Sequence, residues 1–289
     1  MSDTILGLEN LDPTFYIIFY SIIFVLGICI GSFLNVVICR LPKGESLIKN
    51  SSHCVKCGSK IKKCDLIPVI SWIFLKGKCR KCGNRISLRY PFVEILNAFL
   101  YIITFLVMDF NVQSIIICIF FSILIVIGFI DHDFLEIDTR LLIAICVLAV
   151  ISAFFTDSLT ILQRVTGGLL ISVPFFLIGE ISAEIILKNT GEKIRGIELG
   201  DTILMASSGL LIGNKSIVIS AFCGILFAAA GGLYQKRKSG ESKFAFGPYL
   251  AIGLFIGTLW GEKLVDIWLN MFISVSYTHL RAHETLMNL

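Results

Sequence analysis

The sequence predicts an all-α integral membrane protein with about eight transmembrane helices and one large cytoplasmic loop. Of its 289 residues, 56% are hydrophobic and only 16% are charged, and the mean hydropathy is +0.86. The apolar residues fall in separate runs, most of them long enough to cross roughly 30 Å of hydrocarbon as a helix. A soluble enzyme, a secreted disulfide scaffold and a disordered chain are excluded, because each of these classes is far more polar.

The first run extends from Phe15 to Ile38 and contains no charged residue. The charged residues before this run are all acidic, whereas the following loop, 41–90, holds twelve lysines and arginines against Glu45 and Asp65. Basic loops stay on the cytoplasmic side of a bacterial membrane. We therefore expect the N-terminus outside and the loop in the cytoplasm.

Seven further apolar runs follow, at 91–108, 114–130, 140–155, 167–187, 202–213, 216–234 and 246–268. Counting crossings from an outside N-terminus places the connections 131–139, 188–201 and 235–245 in the cytoplasm. The last of these connections carries four basic residues, which agrees with the count. The run 202–213 is short for a span, so a re-entrant segment is the alternative there.

Two Cys-x-x-Cys pairs lie in the basic loop, and they are separated by twenty-one residues. Each pair can present two thiolates to one tetrahedral ion, and the glycine after each pair suits the tight turn that this requires. The spacing predicts a structural zinc ion held by Cys54, Cys57, Cys79 and Cys82. The alternative is reduced thiols in a disordered loop. Cys64 breaks the paired spacing and is expected to be a bystander.

Two acidic positions stand at the ends of apolar runs, where carboxylates are costly and therefore candidates for function. Asp131 follows the third run, and Asp201 opens the sixth run after Gly200. The predicted topology places both on the cytoplasmic face, so they could meet in a helical bundle. A close pair of carboxylates shares a proton, and one can activate water while the other donates to a carbonyl. The simpler interpretation is that such acids only solvate helix ends.

Six sequence motifs, taken in order, resemble the type IV prepilin peptidases, a family of bifunctional leader peptidases and N-methyltransferases. They are Gly31–Pro42, the two Cys-x-x-Cys pairs, Arg89–Glu94, Ile130-Asp131, Gly200-Asp201 and Phe246–Ala251. No single motif is decisive, but six in this order are very specific, and together they cover nearly the whole chain.

The resemblance implies that Asp131 and Asp201 are the catalytic aspartates of an aspartic endopeptidase. Its substrates would be prepilin or pseudopilin proteins with a basic leader, cleaved at the cytoplasmic face of the bacterial inner membrane. The resemblance also implies methylation of the new N-terminus from S-adenosylmethionine, although no glycine-rich cofactor loop identifies the residues that bind it. The lipid bilayer is the other expected partner, and no nucleic acid is expected.

Three positions depart from the family pattern. Ile137-Asp138-Thr139 lacks the usual proline, Glu198 replaces a glycine, and Ile203 replaces a common lysine. These departures keep open a catalytically impaired relative that binds prepilins without cutting them. A proton-coupled transporter is the alternative from a different class, but its key acids would lie near the middle of the bilayer.

The last residues do not fit the rest of the chain. From about Val275 they read VSYTHLRAHET, which resembles an in-frame translation of a sequencing adapter. We expect the natural C-terminus near Ser274. The predicted organisation is a first span at 1–39, a zinc-binding loop domain at 40–90, a seven-span aspartic peptidase domain at 91–274 and a non-native tail at 275–289.

Overall fold

A computed structural model describes residues 13–49, 52–191, 195–239 and 244–287, and its regular structure in these ranges is helical. Isolated β-bridges occur only as the single pairs 53/60 and 78/85 among those residues. A short 3-10 turn covers Lys63–Leu66. The described α-helices are α1 Pro13–Arg40, α2 Ile70–Phe74, α3 Arg89–Met108, α4 Val112–Phe134, α5 Thr139–Phe155, α6 Ile161–Thr190, α7 Leu199–Ser239 and α8 Gly247–Met287.

Every predicted apolar run lies within one of these helices, apart from residue 246 just before α8, so the all-α membrane fold is confirmed. Helices α1, α3, α4, α6 and α7 are long and apolar enough to cross a membrane. Helix α5 is shorter, with 17 residues. It begins where the family's proline is missing, and Asp138 caps it instead by accepting the N–H of Arg140 at 2.8 Å.

The chain divides into two units, residues 1–126 and 127–289, with the boundary inside α4. In the N-terminal unit, α1 packs closely against α3. A Cβ atom at Gly27 would lie 2.5 Å from the Cα of Ala98, so only glycine permits this approach. The buried Asn97 amide donates to the Gly27 carbonyl at 2.8 Å. Small residues and interhelical hydrogen bonds of this kind hold helices together where lipid removes the hydrophobic driving force.

The C-terminal unit is built on contacts of α7 with α5, α6 and α8. Where α6 crosses α7, a Cβ at Gly209 would lie 2.2 Å from the carbonyl oxygen of Gly167. The two backbones therefore touch directly at this crossing.

Helix α7 is broken at Gly213, whose φ of 80° and ψ of 175° are not helical. The break separates the two apolar runs predicted at 202–213 and 216–234. The buried Arg164 of α6 donates to the carbonyl of Leu210, one of the last carbonyls before the break. A carbonyl at the end of a helical segment lacks its intrahelical partner, and the guanidinium replaces that partner.

The Gly167–Gly209 crossing predicts a stability effect. We expect Gly209→Ala to lower the free energy of unfolding by about 1–3 kcal/mol, because the added methyl group must push α6 and α7 apart. Unfolding in detergent would measure the change. Gly232→Ala is the matched control, since its Cβ would meet only the ring of Phe244 at 3.4 Å. Equal stability of the two variants would contradict the prediction.

Candidate functional site

Two turns of the same construction carry the four paired cysteines in the N-terminal unit. In each turn the first cysteine donates its N–H to the carbonyl five positions later, and the glycine after the second cysteine donates back to the carbonyl of the first. These hydrogen bonds are 2.8–2.9 Å long. Gly58 and Gly83 have φ of 65° and 69°. The left-handed conformation explains why glycine follows each pair.

The two turns bring the four thiols together. The Sγ atoms of Cys54, Cys57, Cys79 and Cys82 all lie within 4.8 Å of one another. The Sγ atoms of Cys54 and Cys82 are 3.9 Å apart, far beyond a disulfide bond. A tetrahedral zinc ion with bonds of 2.3 Å would space its sulfur ligands about 3.8 Å apart. The donor set and its spacing therefore fit zinc, and Cys64 lies outside this group.

Polar neighbours favour ionisation of the Cys57 thiol and fix the loop. Hydrogen bonds from the side chain and backbone of Ser59 lower the pKa of Cys57 to about 6. Thiolates are the form that binds metal. Arg80, in the second turn, forms a two-pronged ion pair with Asp65 at 2.6 and 2.9 Å. Hydrogen bonds from Arg80 lower the pKa of Asp65, so this ion pair persists to acidic pH.

In the C-terminal unit, Asp131 lies in the last turn of α4 and is only 6% exposed. Its Oδ2 atom accepts a buried hydrogen bond of 2.7 Å from the backbone N–H of Gly247, the first residue of α8. A Cβ at Gly247 would lie 2.8 Å from that same oxygen. A larger residue at this position would push the Asp131 carboxylate away from the backbone.

Asp201 lies in the first turn of α7 and is 5% exposed. Its carboxylate accepts the backbone N–H of Glu198, the residue immediately before the helix. This is one half of a capping box. The glycine between them, Gly200, allows close packing of a side chain, because a Cβ there would lie 3.1 Å from the Cβ of Ile137.

The charges of Asp131 and Asp201 interact, and both aspartates also interact with the charge of Glu198. Asp131 and Asp201 are buried, whereas Glu198 is exposed. The structure thus buries both aspartates that the sequence singled out, within range of each other's charge. Such a pair, shielded from bulk water and held by backbone N–H groups, can hold one proton and move it during hydrolysis.

The role of Gly247 was not predicted. The sequence offered a signal, because the motif Phe246–Ala251 belonged to the resemblance without an assigned purpose. A backbone donor carries no side-chain signature, so only the fold reveals it.

Two family models match parts of the chain. The model of the Bacterial Peptidase A24 N-terminal domain matches residues 25–108, and that of the Type IV leader peptidase family matches residues 118–233. The second match includes both aspartates, and the first includes all four paired cysteines.

Two curated relatives cover most of the chain. A prepilin leader peptidase/N-methyltransferase of Bacillus subtilis (strain 168) is 28% identical, over 87% of this chain and 98% of the relative. A type 4 prepilin-like proteins leader peptide-processing enzyme of Escherichia coli O78:H11 is 32% identical, over 78% of this chain and 88% of the relative. No solved structure gives a significant match.

The cysteine cluster generates a test of metal binding. Elemental analysis of purified protein should find about one zinc ion per chain, and none after all four paired cysteines are changed to serine. Cys64→Ser should retain the metal and is the matched control. A folded wild-type protein that carries no metal would show that the thiols have another purpose.

Proposed function

The chain belongs to the type IV leader peptidase family, and from this premise we propose that it is a membrane aspartic endopeptidase that removes the basic leader of prepilin-like proteins. The observation that carries the proposal is the pair of buried, interacting carboxylates of Asp131 and Asp201. Each side chain receives a backbone hydrogen bond beside a helix N-terminus, from Gly247 and Glu198 respectively. Such donors favour a negative carboxylate and fix its orientation.

The two carboxylates would share one proton and act in turn on the scissile amide. The ionised member takes a proton from a water molecule, whose oxygen attacks the carbonyl carbon. The protonated member donates to the carbonyl oxygen, which gives a tetrahedral intermediate. Collapse of this intermediate breaks the C–N bond, and the departing amine of the mature protein takes up a proton. The leader leaves with a new carboxyl terminus.

The charge pattern supports cleavage at the cytoplasmic face of the inner membrane. Positive loops favour the cytoplasm, and counting spans from the basic loop 41–90 puts both aspartates on the same side. The apolar segment of the substrate would lie in the bilayer, with its leader in water. The exposed carboxylate of Glu198 stands beside the aspartates and would attract a basic leader.

The names of the relatives support a second activity, N-methylation of the new N-terminus. S-adenosylmethionine, when bound, would supply an electrophilic methyl group: the free α-amine would take the methyl with loss of a proton, and the broken S–C bond would leave a neutral thioether, S-adenosylhomocysteine. We assign the zinc to a structural role, because four cysteine ligands leave no open position on a tetrahedral ion.

The catalytic assignment predicts the effect of removing either acid. Asp131→Asn and Asp201→Asn should each lower leader cleavage at least about a thousandfold, because an amide cannot exchange the required proton. Cleavage of a prepilin substrate by purified protein in nanodiscs is the measurement. Asp133→Asn, an exposed acid two positions along α4, should cleave normally. Normal cleavage by either active-site variant would refute the assignment.

The hydrogen bond to Asp131 predicts a second effect. Gly247→Ala should reduce kcat/KM for cleavage about a hundredfold, because its methyl group would displace the carboxylate from its position. Gly128→Ala is the matched control on α4, since its Cβ would be 3.6 Å from the nearest atom, Cα of Pro248. Unfolding temperatures of both variants should stay near that of the wild type. The role of Gly247 is wrong if the two variants cleave equally well.

A further inference from the structure

The segment that leads into α7 lies along the second half of α6, and both belong to the C-terminal unit. This segment, residues 195–198, comes directly before Leu199, the first residue of α7. It bears on the proposed cleavage because the N–H of Glu198 binds the Asp201 carboxylate. The contacts that hold the segment therefore also hold the donor of a catalytic acid.

Arg195 begins the segment and is held by two side chains of α6. Its guanidinium forms an ion pair with Glu180 and lies over the ring of Phe176, 5.9 Å from the ring centroid. Phe176 and Glu180 are four positions apart, so they stand on one face of the helix. The side chains of Arg195 and Glu180 are only 25% and 32% exposed. Water therefore weakens this ion pair less than it weakens a pair on an open surface.

The backbone after Arg195 follows α6 closely. The N–H of Gly196 donates to the hydroxyl of Ser182 at 2.9 Å, and this hydroxyl donates to the carbonyl of Gly179 at 2.8 Å. A Cβ at Gly179 would lie 2.9 Å from the carbonyl oxygen of Ile197. The lack of a side chain at position 179 therefore lets the segment lie directly against the helix.

One peptide group connects this contact to the aspartate. The carbonyl of Ile197 and the N–H of Glu198 belong to the same planar trans peptide, so they point in opposite directions. The carbonyl faces Gly179 on α6, and the N–H binds the carboxylate of Asp201 on α7. The Glu198 carbonyl also accepts the N–H and the hydroxyl of Thr202, at 3.3 and 3.2 Å. Residues 195–198 thus join α6 to the turn that carries Asp201.

The charges in this cluster favour positioning over capture of the substrate. Glu180 already has Arg195 as its counter-ion, so the pair carries no net charge. A basic leader would meet the guanidinium of Arg195 as well as the carboxylate of Glu180, and the pair would not attract it. Glu198 is the exposed acid nearby, and the proposed cleavage already uses its charge.

We propose that Arg195 and Glu180 are positioning residues of the leader peptidase. Their ion pair fixes residues 195–198 on α6 and so orients the peptide group whose N–H binds Asp201. Neither residue touches the substrate or the reacting atoms in this assignment. The inference rests on the proposed leader cleavage and names two further residues on which its rate depends.

Steady-state cleavage of a prepilin substrate by the full chain in nanodiscs tests this role. Arg195→Gln and Glu180→Gln should each lower kcat at least about tenfold, because a misplaced carboxylate reacts more slowly. KM should stay within about twofold of the wild-type value, because no contact with the substrate is lost. Lys215→Gln is the matched control, since Lys215 forms an ion pair with Asp266 of α8, and its kcat should equal that of the wild type.

Rescue separates the ion pair from a general loss of stability. Arg195→Glu alone should be at least as slow as Arg195→Gln, because two carboxylates would then face each other. Adding Glu180→Arg to Arg195→Glu restores opposite charges and should bring kcat to within about threefold of the wild type. Arg195→Lys keeps the positive charge and should cleave faster than Arg195→Gln. The exchanged pair decides the question even if Arg195→Gln does not fold.

Hydrogen–deuterium exchange measures the segment directly and needs no turnover. Amides of residues 195–201 should exchange at least about tenfold faster in Arg195→Gln than in the wild type, because the bonds made by Gly196 and Glu198 would open more often. Exchange in residues 250–258 of α8 should be unchanged, which would show that the variant folds. Equal protection of residues 195–201 in both proteins would contradict the role of the ion pair.

The kinetic outcomes separate the positioning role from the function on which it rests. A wild-type protein that does not cleave prepilins would defeat the proposed function. A wild type that cleaves no faster than Arg195→Gln would overturn the positioning role and leave the function standing. So would an exchanged pair that remains as slow as the single variants. A higher KM at unchanged kcat would overturn it too, since Glu180 would then bind the leader itself.

Discussion

The C-terminal unit depends on one constraint: two carboxylates must be withdrawn from bulk water without being left unpaired. A buried, isolated carboxylate is among the most costly groups in a protein, and hydrogen bonds to backbone N–H groups reduce that cost. Gly247 supplies one such donor to Asp131, and Glu198 supplies another to Asp201. Both donors stand beside helix N-termini, where N–H groups lack intrahelical partners. The unpaired N–H groups at the helix ends and the buried carboxylates therefore supply each other's hydrogen-bond partners.

Small residues make this arrangement possible in an apolar bundle. Helices in lipid gain little from hydrophobic contact, so they need close backbone packing instead. The Gly167–Gly209 crossing provides that packing between α6 and α7. The break at Gly213 then lets α7 continue as a second segment, with Arg164 bound to a carbonyl at the end of the first. The position of Asp201 at the start of α7 thus depends on contacts made along the first segment.

The sequence predicts features that depend on a local pattern of residues. It does not predict contacts between residues that are distant in the chain. Apolar runs predict the helices because crossing a bilayer sets their length, and paired cysteines predict a cluster because two turns of fixed geometry suffice. The acids at 131 and 201 could be selected from their cost at the ends of apolar runs. The donor at Gly247 could not, because it lies 116 positions from Asp131 and acts through its backbone. The positive φ of Val69 could not be predicted either, since valine ordinarily avoids that conformation.

The substitution of glycine by Glu198 can be understood from burial. Glu198 remains exposed to solvent while the two aspartates are buried, so it adds a charge that acts on both carboxylates without entering the buried pair. Its backbone N–H donates a hydrogen bond to Asp201, and any residue except proline can make this contact at that position. The departure therefore changes the electrostatic surroundings of the site rather than its geometry. A negative charge at the water-facing edge of the dyad suits the approach of a basic leader, which makes this departure compatible with an active peptidase.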